Sequence, residues 1–492
     1  MKDLIQYLSE NKYTNPNKVF IKHAGEEYTF KTVAMKVNNL SANLYKPKQK
    51  QQHIGLLLDD SPEFIISFLA IQKNLDIAVL FSPNLEEELL LQKMSGINLS
   101  KIIFHEKYRE IVNRKHSKVE KIVIGDAQSN EIEFKQLIES NHNPDLRIPF
   151  LNPENPSIIM FTSGTTGTPK NVLHSHKSLV SNALSCFNII DNQKHLVFLG
   201  YPDFANYISL VLIISLAIIS SGTISIPTRK DAESILQAIK DHQVNLFAGV
   251  PLILRKMVNH PNNNFLKNLK FALSLNNPID LDTVNYWRSK YQANLLQGYG
   301  LTESLIVSFN SIRDNMIPSS LGRPIPGAEM KVMNNMKVEL PTGKVGELHI
   351  QSEANLISYY NSDRNKNRHH RWFSTGDLVR KDHEGYFHFI DRKNNAIHKN
   401  GFTIFPTDIE LIIKQHPKIN QIHVMKLLGE KDDTIKFCII PEEEEKLDKQ
   451  EIKEYAQKKL PQFLQPEFIE IYKDFRENYL GNILRDKFIH SH

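Results

Sequence analysis

Residues 161–170, which read Phe-Thr-Ser-Gly-Thr-Thr-Gly-Thr-Pro-Lys, have the composition of a loop that binds phosphate groups. Small hydroxyl side chains and two glycines leave backbone N–H groups exposed side by side, and concave arrangements of such groups bind anions. Lys170 closes the segment with a mobile positive charge. The segment is therefore predicted to hold a polyphosphate.

Two other interpretations of this segment are weaker. It is not a Walker A motif, because the glycine spacing and the Gly-Lys-Ser/Thr string of that motif are missing from the chain. A plain connecting loop is the second alternative, since serine, threonine and glycine are common in turns. Against it, residues 157–161 form an apolar run of strand type, and α/β proteins bind ligands where buried strands end.

Further short motifs follow in a fixed order along the chain. They are residues 297–303 (Gln-Gly-Tyr-Gly-Leu-Thr-Glu), 320–324 (Ser-Leu-Gly-Arg-Pro), 346–348 (Gly-Glu-Leu), 372–377 (Trp-Phe-Ser-Thr-Gly-Asp), and Asp391-Arg392 leading to Gly401 and Pro406. With the phosphate-binding segment, this series resembles the adenylate-forming superfamily. Acyl-CoA synthetases, luciferases and the adenylation domains of nonribosomal peptide synthetases belong to it. The resemblance spans nearly the whole chain.

The resemblance implies a site for ATP and Mg²⁺ in the first part of the chain. Glu303 and Thr166 would bind Mg²⁺, a hard cation that prefers carboxylate and phosphate oxygens. Thr302 would contact the α-phosphate, while Tyr299 and Asn277 would lie at the adenine. The β- and γ-phosphates would be held by Thr162, Ser163, Gly164, Thr165, Thr166, Gly167 and Lys170.

Two residues near the end of the motif series would contact the nucleoside. The resemblance implies that Asp377 accepts hydrogen bonds from the ribose hydroxyls and that Arg392 lies near the ribose and phosphates. Alone, an aspartate after glycine is usually a turn residue and an arginine is usually a surface charge. The surrounding motifs therefore carry this assignment.

Several positions depart from the pattern of the superfamily. Asn482 stands where the resemblance implies a catalytic lysine that bridges the attacking carboxylate and the α-phosphate. An amide donates hydrogen bonds but carries no charge. Losing one such electrostatic contact typically costs about 10²- to 10³-fold in rate. The usual glycines near Asn277 are also missing, and Ala205, Asn394 and His398 replace a usual histidine, hinge residue and lid lysine.

Composition indicates an ordinary globular protein. The chain has 492 residues, 41% hydrophobic and 23% charged, with a net charge of +5 that is spread along its length. Nucleic acid or membrane-surface binding is not indicated. The two cysteines, Cys186 and Cys438, lack metal-type spacing, and the amino terminus lacks a signal-peptide core, which favours a cytoplasmic protein.

Residues 204–228 contain no charged side chain and are long enough to suggest a membrane span. The string Ser220-Ser221-Gly222 divides them into a helix-length apolar part at 208–219 and a strand-like part at 223–226. We therefore predict a buried helix followed by a core strand.

The remaining pattern predicts an α/β protein. Apolar strands at 54–58, 78–81, 101–104 and 121–124 alternate with helical stretches, which is typical of βαβ units and parallel sheets. A second such series lies within 196–297, and a β-rich subdomain is expected within 329–390. The order resembles two stacked βαβ subdomains plus a small β-rich subdomain, all within 1–393. A small mobile α+β lid would occupy 394–492, with helices at 406–415 and from Asp448.

The resemblance implies an acid–thiol ligase that activates a carboxylic acid with ATP and transfers the acyl group to CoA. Residues 401–410 are similar to a segment of CoA ligases, although a separate acyl carrier protein is an alternative acceptor. A nucleotide- or acyl-adenylate-binding protein with weakened adenylation is the alternative that Asn482 motivates. The region at 201–209 is uncharged except for Asp203, which favours an apolar acyl or aryl acid, such as a fatty acid, although Asp203 could also meet an amino group.

Overall fold

The structure is a computed structural model of the 492-residue chain. It describes all residues except 1, 47–49, 141–151, 163–169, 278, 280, 292–293, 311–316, 318–319, 361–371, 401, 428–432, 443–444, 474 and 476–492. The chain forms two compact units. The first contains Met1–Glu329 and Ile350–Phe373, and the second contains Met330–His349 and Ser374–His492. The predicted boundary between 393 and 394 lies within the second unit and stays a prediction.

The first unit contains a nine-stranded sheet that is mostly parallel. In spatial order its strands are Arg323–Pro324, Leu305–Phe309, Asn294–Leu301, Phe271–Ser274, Leu246–Gly249, Val197–Leu199, Thr223–Ile226, Val19–His23 and Glu26–Thr29. Strands in the middle of the sheet pair in parallel, whereas the strands at its two ends pair antiparallel with their neighbours. This confirms the second predicted series of βαβ units, while the strand Val19–His23 was not predicted.

The second sheet of the first unit has eight strands. Their spatial order is Ser358–Tyr359, Asn171–Ser175, Pro156–Phe161, Ile77–Phe81, His53–Leu57, Lys101–His105, Glu120–Ile124 and Glu131–Glu133. The strands from Pro156–Phe161 to Glu131–Glu133 are parallel, and the first two strands are antiparallel additions at one edge. The first predicted series of strands is confirmed.

The first unit contains more than one buried apolar cluster, formed by its two sheets and by the helices that pack on them. The helices are Leu4–Thr14, Phe30–Leu44, Pro62–Lys73, Glu87–Ser95, Arg109–Lys115, Phe134–Glu139, His176–Ile189, Tyr207–Ser209, Leu216–Ile219, Ala232–Asp241, Pro251–Val258 and Leu281–Lys290. One of these clusters contains Leu56 of the eight-stranded sheet and Ile224 of the nine-stranded sheet, together with Phe68 of a helix. Burial of these apolar side chains is the main stabilising force.

The uncharged segment is buried, as predicted. Tyr207–Ser209, the π-helix Leu210–Ser215 and Leu216–Ile219 form one continuous helical stretch, and the strand Thr223–Ile226 follows. Within the π-helix, Ser215 Oγ donates a hydrogen bond of 2.6 Å to the Leu210 carbonyl. Over the described part of the chain, every helix is too short or too polar to cross a bilayer.

The second unit combines three small sheets with two helices. The sheets are Ala328–Met333, Val345–Ser352, Phe373–Lys381 and Phe387–Arg392; then Ile397–Lys399 and Phe402–Ile404; then Ile419–Leu427, Thr434–Pro441 and Phe468–Ile471. The helices are Pro406–Ile413 and Lys449–Lys459. The first of these helices is two residues shorter than predicted. Asp448 caps the second by accepting from the Glu451 N–H at 2.8 Å, while the Glu451 carboxylate lies 3.0 Å from Lys418 Nζ.

Candidate functional site

The predicted phosphate-binding loop connects two antiparallel strands, Pro156–Phe161 and Asn171–Ser175. Thr162 and Lys170 close its base with two hydrogen bonds. The Thr162 N–H donates to the Lys170 carbonyl at 3.1 Å, and the Lys170 N–H donates to Thr162 Oγ1 at 3.0 Å. The predicted contacts Ser163, Gly164, Thr165, Thr166 and Gly167 lie outside the described residues. The described residues therefore fix where the loop begins and ends.

The motif at 297–303 forms a strand and a tight turn. The strand Asn294–Leu301 pairs with Leu305–Phe309, so Thr302 and Glu303 lie in the turn between them. The pairing shifts register after Tyr299, and a Cβ at Gly300 would lie only 2.4 Å from the Leu305 carbonyl oxygen. Only glycine allows this close approach of the two strands. The sequence prediction ended the strand at 297, which is four residues too early.

Two segments distant in sequence converge on this turn. His174 Nε2 lies 2.7 Å from the Thr302 carbonyl oxygen, and because a carbonyl only accepts, Nε2 carries the proton. Residues 356–360, which we call the strap, supply the other contacts. The Leu356 N–H donates to the Glu303 carbonyl at 2.7 Å, and the Ile357 N–H donates to the Leu173 carbonyl at 2.8 Å. The turn is thereby fixed beside the phosphate-binding loop.

Tyr359 of the strap contacts two predicted site residues. Its hydroxyl donates a hydrogen bond of 3.1 Å to Glu303 Oε1, and Lys170 Nζ lies 5.0 Å from the centre of its ring. Burial and the nearby Glu303 charge raise the pKa of Tyr359 above its ordinary value. The phenol therefore stays protonated and remains a donor at neutral pH. We call Lys170, Tyr359 and Glu303 the phosphate corner.

Asn277 and Tyr299 lie on adjoining backbone in the first unit. Gln297, two residues before Tyr299 on the strand Asn294–Leu301, holds the backbone at Asn277 and Ile279. Its Nε2 donates to the Asn277 carbonyl at 3.4 Å and its Oε1 accepts from the Ile279 N–H at 3.0 Å. Asn276 has a φ of 79°, a left-handed conformation that asparagine tolerates better than most residues. Asparagine thus takes the conformational role of a usual glycine here. Tyr299 is buried, with 8% of its surface exposed.

Asp203 is a buried carboxylate whose hydrogen bonds are to other groups of the protein. It is 1% exposed and accepts hydrogen bonds from Ser82 Oγ, from Asn84 Nδ2 at 3.1 Å and from the Ala205 N–H at 2.9 Å. These donors use both carboxylate oxygens. The arrangement removes the basis for expecting Asp203 to meet a substrate amino group.

In the second unit, Asp377 and Arg392 face each other on neighbouring antiparallel strands. Arg392 Nε lies 2.8 Å from Asp377 Oδ1, and Asp377 is completely buried. The arrangement supplies a carboxylate and a guanidinium at one place. Their predicted contacts with ribose and phosphate stay predictions.

Glu347 of the Gly-Glu-Leu motif holds the first part of the strand Phe373–Lys381, and we call residues 374–377 the Asp377 segment. Its Oε1 accepts from Ser374 Oγ and from the Gly376 N–H at 3.1 Å, and its Oε2 lies 2.8 Å from Lys393 Nζ. Burial would raise the pKa of Glu347, but the hydrogen bonds and the charge of Lys393 outweigh it and lower that pKa. Glu347 therefore stays ionised.

Asp391 joins the end of the strand Phe387–Arg392 to the start of the helix Pro406–Ile413. Its carboxylate accepts from the Arg392 N–H at 2.6 Å, from Asn395 Nδ2 at 2.9 Å and from Thr407 Oγ1 at 3.0 Å. The region predicted to act as a hinge, which includes Asn394, is thus bridged by one carboxylate. Asn482 lies outside the described residues.

The predicted site residues therefore fall into two groups. Lys170, Thr302 and Glu303 come together in the first unit, and Asp377 and Arg392 come together in the second. Sequence reasoning missed the roles of Tyr359, His174 and Glu347. His174 lies outside the recognised motifs, and within the described ranges no three His, Cys, Asp or Glu side chains are grouped to hold a metal ion.

Glu303 nevertheless fits the predicted Mg²⁺. Magnesium is commonly bound through one or two carboxylates together with substrate phosphates and water, rather than by an all-protein cage. A single carboxylate at the phosphate corner, close to the base of a phosphate-binding loop, meets that requirement.

Comparisons with known proteins identify the family. A sequence model of the family described as AMP-binding enzyme matches residues 8–360. A long-chain-fatty-acid–CoA ligase of Bacillus subtilis is 24% identical over 99% of this chain and 94% of its own length. A crotonobetaine/carnitine–CoA ligase of Citrobacter koseri is 25% identical over 91% of this chain and 90% of its own.

A solved structure shows the same fold over the whole chain. ATP-bound MatB from Rhodopseudomonas palustris superimposes with a TM-score of 0.90, covering 99% of this chain and 98% of that protein at 18% identity. This likeness confirms the α/β fold that the sequence motifs predicted.

Proposed function

We propose that this chain, which belongs to the AMP-binding enzyme family, is an acyl-CoA ligase that uses ATP, Mg²⁺ and CoA. A substrate carboxylate oxygen would attack the α-phosphorus of ATP and displace pyrophosphate, giving an acyl-adenylate. The thiol of CoA would then attack the acyl carbonyl, lose its proton and displace AMP. The observation that carries this proposal is the phosphate corner, in which Tyr359 contacts both Lys170 and Glu303 beside the loop.

The charges at the phosphate corner suit a polyphosphate substrate. Lys170 is an exposed cation at the end of the loop, so it can follow the phosphates during the reaction. Glu303 would hold Mg²⁺, which neutralises phosphate charge and aids the departure of pyrophosphate. Thr302 lies in the same turn, with its carbonyl held by His174. Its N–H and hydroxyl are the groups we assign to the α-phosphate.

An apolar acyl or aryl acid is the proposed substrate class. Asp203 is engaged by protein donors, so the region at 201–209 offers no carboxylate to bind a substrate cation. CoA is the proposed acceptor, because both compared relatives are named CoA ligases and residues 401–410 are similar to the CoA-ligase segment. A carrier protein is not favoured over CoA.

The test is ATP–pyrophosphate exchange with a panel of carboxylic acids, followed by detection of AMP and acyl-CoA when CoA is added. We expect exchange that depends on both the acid and Mg²⁺, and AMP release that depends on CoA. Failure of the purified protein to bind either ATP or AMP would refute the proposal.

The second candidate, an adenylate-binding protein with weak adenylation, is favoured by Asn482 alone. Asn482→Lys separates the two candidates. If exchange is absent in the parent, appears in the variant and AMP binding is equal in both, the chain is the binding protein. Measurable exchange in the parent supports the ligase.

A further inference from the structure

We infer that Tyr359 is a positioning residue that sets the placement of both Glu303 and Lys170 for metal-bound ATP. This inference rests on the proposed function and assigns a task to a side chain outside the motif series. Tyr359 would touch neither the acid nor the reacting phosphorus. It would act by holding the metal-binding carboxylate through its hydroxyl and the phosphate-binding ammonium through its ring.

The hydroxyl fixes Glu303. A glutamate side chain in a turn has several rotatable bonds, so its carboxylate would otherwise sample many positions. The Tyr359 hydroxyl donates to Glu303 Oε1 at 3.1 Å, and the Leu356 N–H holds the Glu303 carbonyl at 2.7 Å. Both the backbone and the carboxylate of Glu303 are thus held by the strap. A pre-placed carboxylate loses less freedom when it binds a metal.

The ring places Lys170. Its ammonium lies 5.0 Å from the ring centre of Tyr359, within the distance at which the face of an aromatic ring attracts a cation. The two effects are separable, because one depends on the hydroxyl and the other on the ring. A phenylalanine at 359 would remove the first and keep the second.

The strap itself is fixed by strand pairing. Tyr359 lies opposite Val172 and Ser358 lies opposite Leu173 in an antiparallel pair at the edge of the eight-stranded sheet. Successive side chains of a strand point to opposite faces, and the next residue, Tyr360, packs its ring 5.4 Å from that of His53. Tyr360 therefore offers a matched control, with the same residue type on the same strap but different contacts.

The test compares Tyr359→Phe, Tyr359→Leu and Tyr360→Phe with the parent by calorimetric titration of ATP at a series of Mg²⁺ concentrations and in EDTA. For Tyr359→Phe we expect half-saturation with Mg²⁺ to need about 10-fold more metal, the usual weight of one hydrogen bond to a charged group. Its ATP affinity in EDTA should match the parent. For Tyr359→Leu we expect the affinity in EDTA to fall as well, while Tyr360→Phe changes neither quantity.

A double variant isolates the path through Glu303. In a Glu303→Gln background, Tyr359→Phe should cause no further change in Mg²⁺ dependence, because the metal-binding carboxylate is already gone. An unchanged Mg²⁺ dependence in Tyr359→Phe, or an equal change in Tyr360→Phe, would overturn the inference while leaving the proposed function intact. Absence of ATP binding by the parent would overturn both. Thermal unfolding of each variant identifies a folding defect, and Tyr359→Phe decides the question if Tyr359→Leu does not fold.

Discussion

The phosphate corner and the Asp377 segment are held in place in different ways. Around the corner, the strap and His174 fix the turn through backbone carbonyls, and a neutral phenol contacts Glu303. The Asp377 segment is instead fixed by carboxylate side chains that bind cations, Glu347 with Lys393 and Asp377 with Arg392. Backbone hydrogen bonds are insensitive to pH and salt, whereas ion pairs respond to both. The two regions should therefore respond differently to mutation and to acid.

Among these predictions, removal of the positive charge of Lys170 from the phosphate corner should have the largest effect, and it should act on the reaction rate. Lys170→Ala should lower the rate of pyrophosphate exchange by about 10²- to 10³-fold, because one preorganised charge at the phosphates is lost. The midpoint of thermal unfolding should stay unchanged, since the Lys170 side chain is exposed and the loop base is closed by backbone groups. Lys177→Ala removes a surface lysine paired with Glu154 and should leave the rate unchanged. Equal rates for Lys170→Ala and the parent would remove Lys170 from the site.

Acid should remove the contribution of His176 to the stability of the first unit at a higher pH than the contribution of Glu347, which holds the Asp377 segment. Burial lowers the pKa of His176 to about 4, so between that value and 6.5 the unfolded chain binds a proton that the folded chain does not. The contribution of His176 to stability should therefore fall by roughly 3 kcal/mol as pH decreases through this window. The lowered pKa of Glu347 makes its contribution fall only below 4.5, its ordinary value.

Urea unfolding from pH 7 to 4 measures this difference. The variant His176→Gln, which cannot titrate, should lose the dependence between pH 6.5 and 4 while other groups keep theirs. A slope equal to that of the parent across this range would contradict the assignment to His176.

The Asp377 segment should lose stability when the Glu347 carboxylate that anchors it loses its charge. Glu347→Gln weakens contacts with Lys393, Ser374 and Gly376, and we expect the second unit to lose about 1–2 kcal/mol in urea unfolding. Glu339→Gln is the matched control, because the exposed pair of Glu339 with Lys331 should contribute less than about 0.5 kcal/mol. Similar losses in the two variants would show that the buried anchor is no stronger than a surface pair.

The smallest predicted effect is the loss of stability on removing the hydroxyl of Tyr207, a neutral phenol near the phosphate corner. Tyr207, which precedes the π-helix, donates its hydroxyl to the Gly300 carbonyl at 2.9 Å. Tyr207→Phe should cost about 1 kcal/mol of unfolding free energy, as expected for one neutral hydrogen bond, with no dependence on salt concentration. Unfolding in urea at low and high salt measures both quantities. A salt-dependent loss would contradict the neutral character of the hydrogen bond between Tyr207 and Gly300.

Local patterns predicted most of the fold because most strands of the two large sheets lie in regular βαβ units. The strand Val19–His23 was missed because its partner, Thr223–Ile226, lies about two hundred residues later, with Ile21 opposite Ile224. The strand Asn294–Leu301 was ended too early because two glycines near its end usually indicate a turn. Here those glycines permit close approach to the neighbouring strand.

The sequence motifs predicted which residues belong to the site, but they did not predict the contacts between those residues. Short motifs identified Lys170, Thr302 and Glu303. Tyr359 lies outside all of these motifs. Its importance depends on an edge strand that returns to the eight-stranded sheet, which spacing along the chain does not reveal. Glu347 was part of a recognised motif, but its partner Lys393 lies 46 residues away. The sequence patterns therefore did not predict contacts between residues that are far apart along the chain.

The position of the strap along the chain limits how this protein can be cut into fragments. The chain leaves the first unit after Glu329, returns to it at Ile350 and leaves again after Phe373. A single cut therefore cannot yield two complete halves, since an amino-terminal fragment ending at Glu329 lacks the edge strand Ser358–Tyr359. Such a fragment would keep Lys170 and Glu303 but lose the tyrosine between them. An amino-terminal fragment must extend at least to Tyr359 to retain all three, and to Phe373 to contain every residue of the first unit.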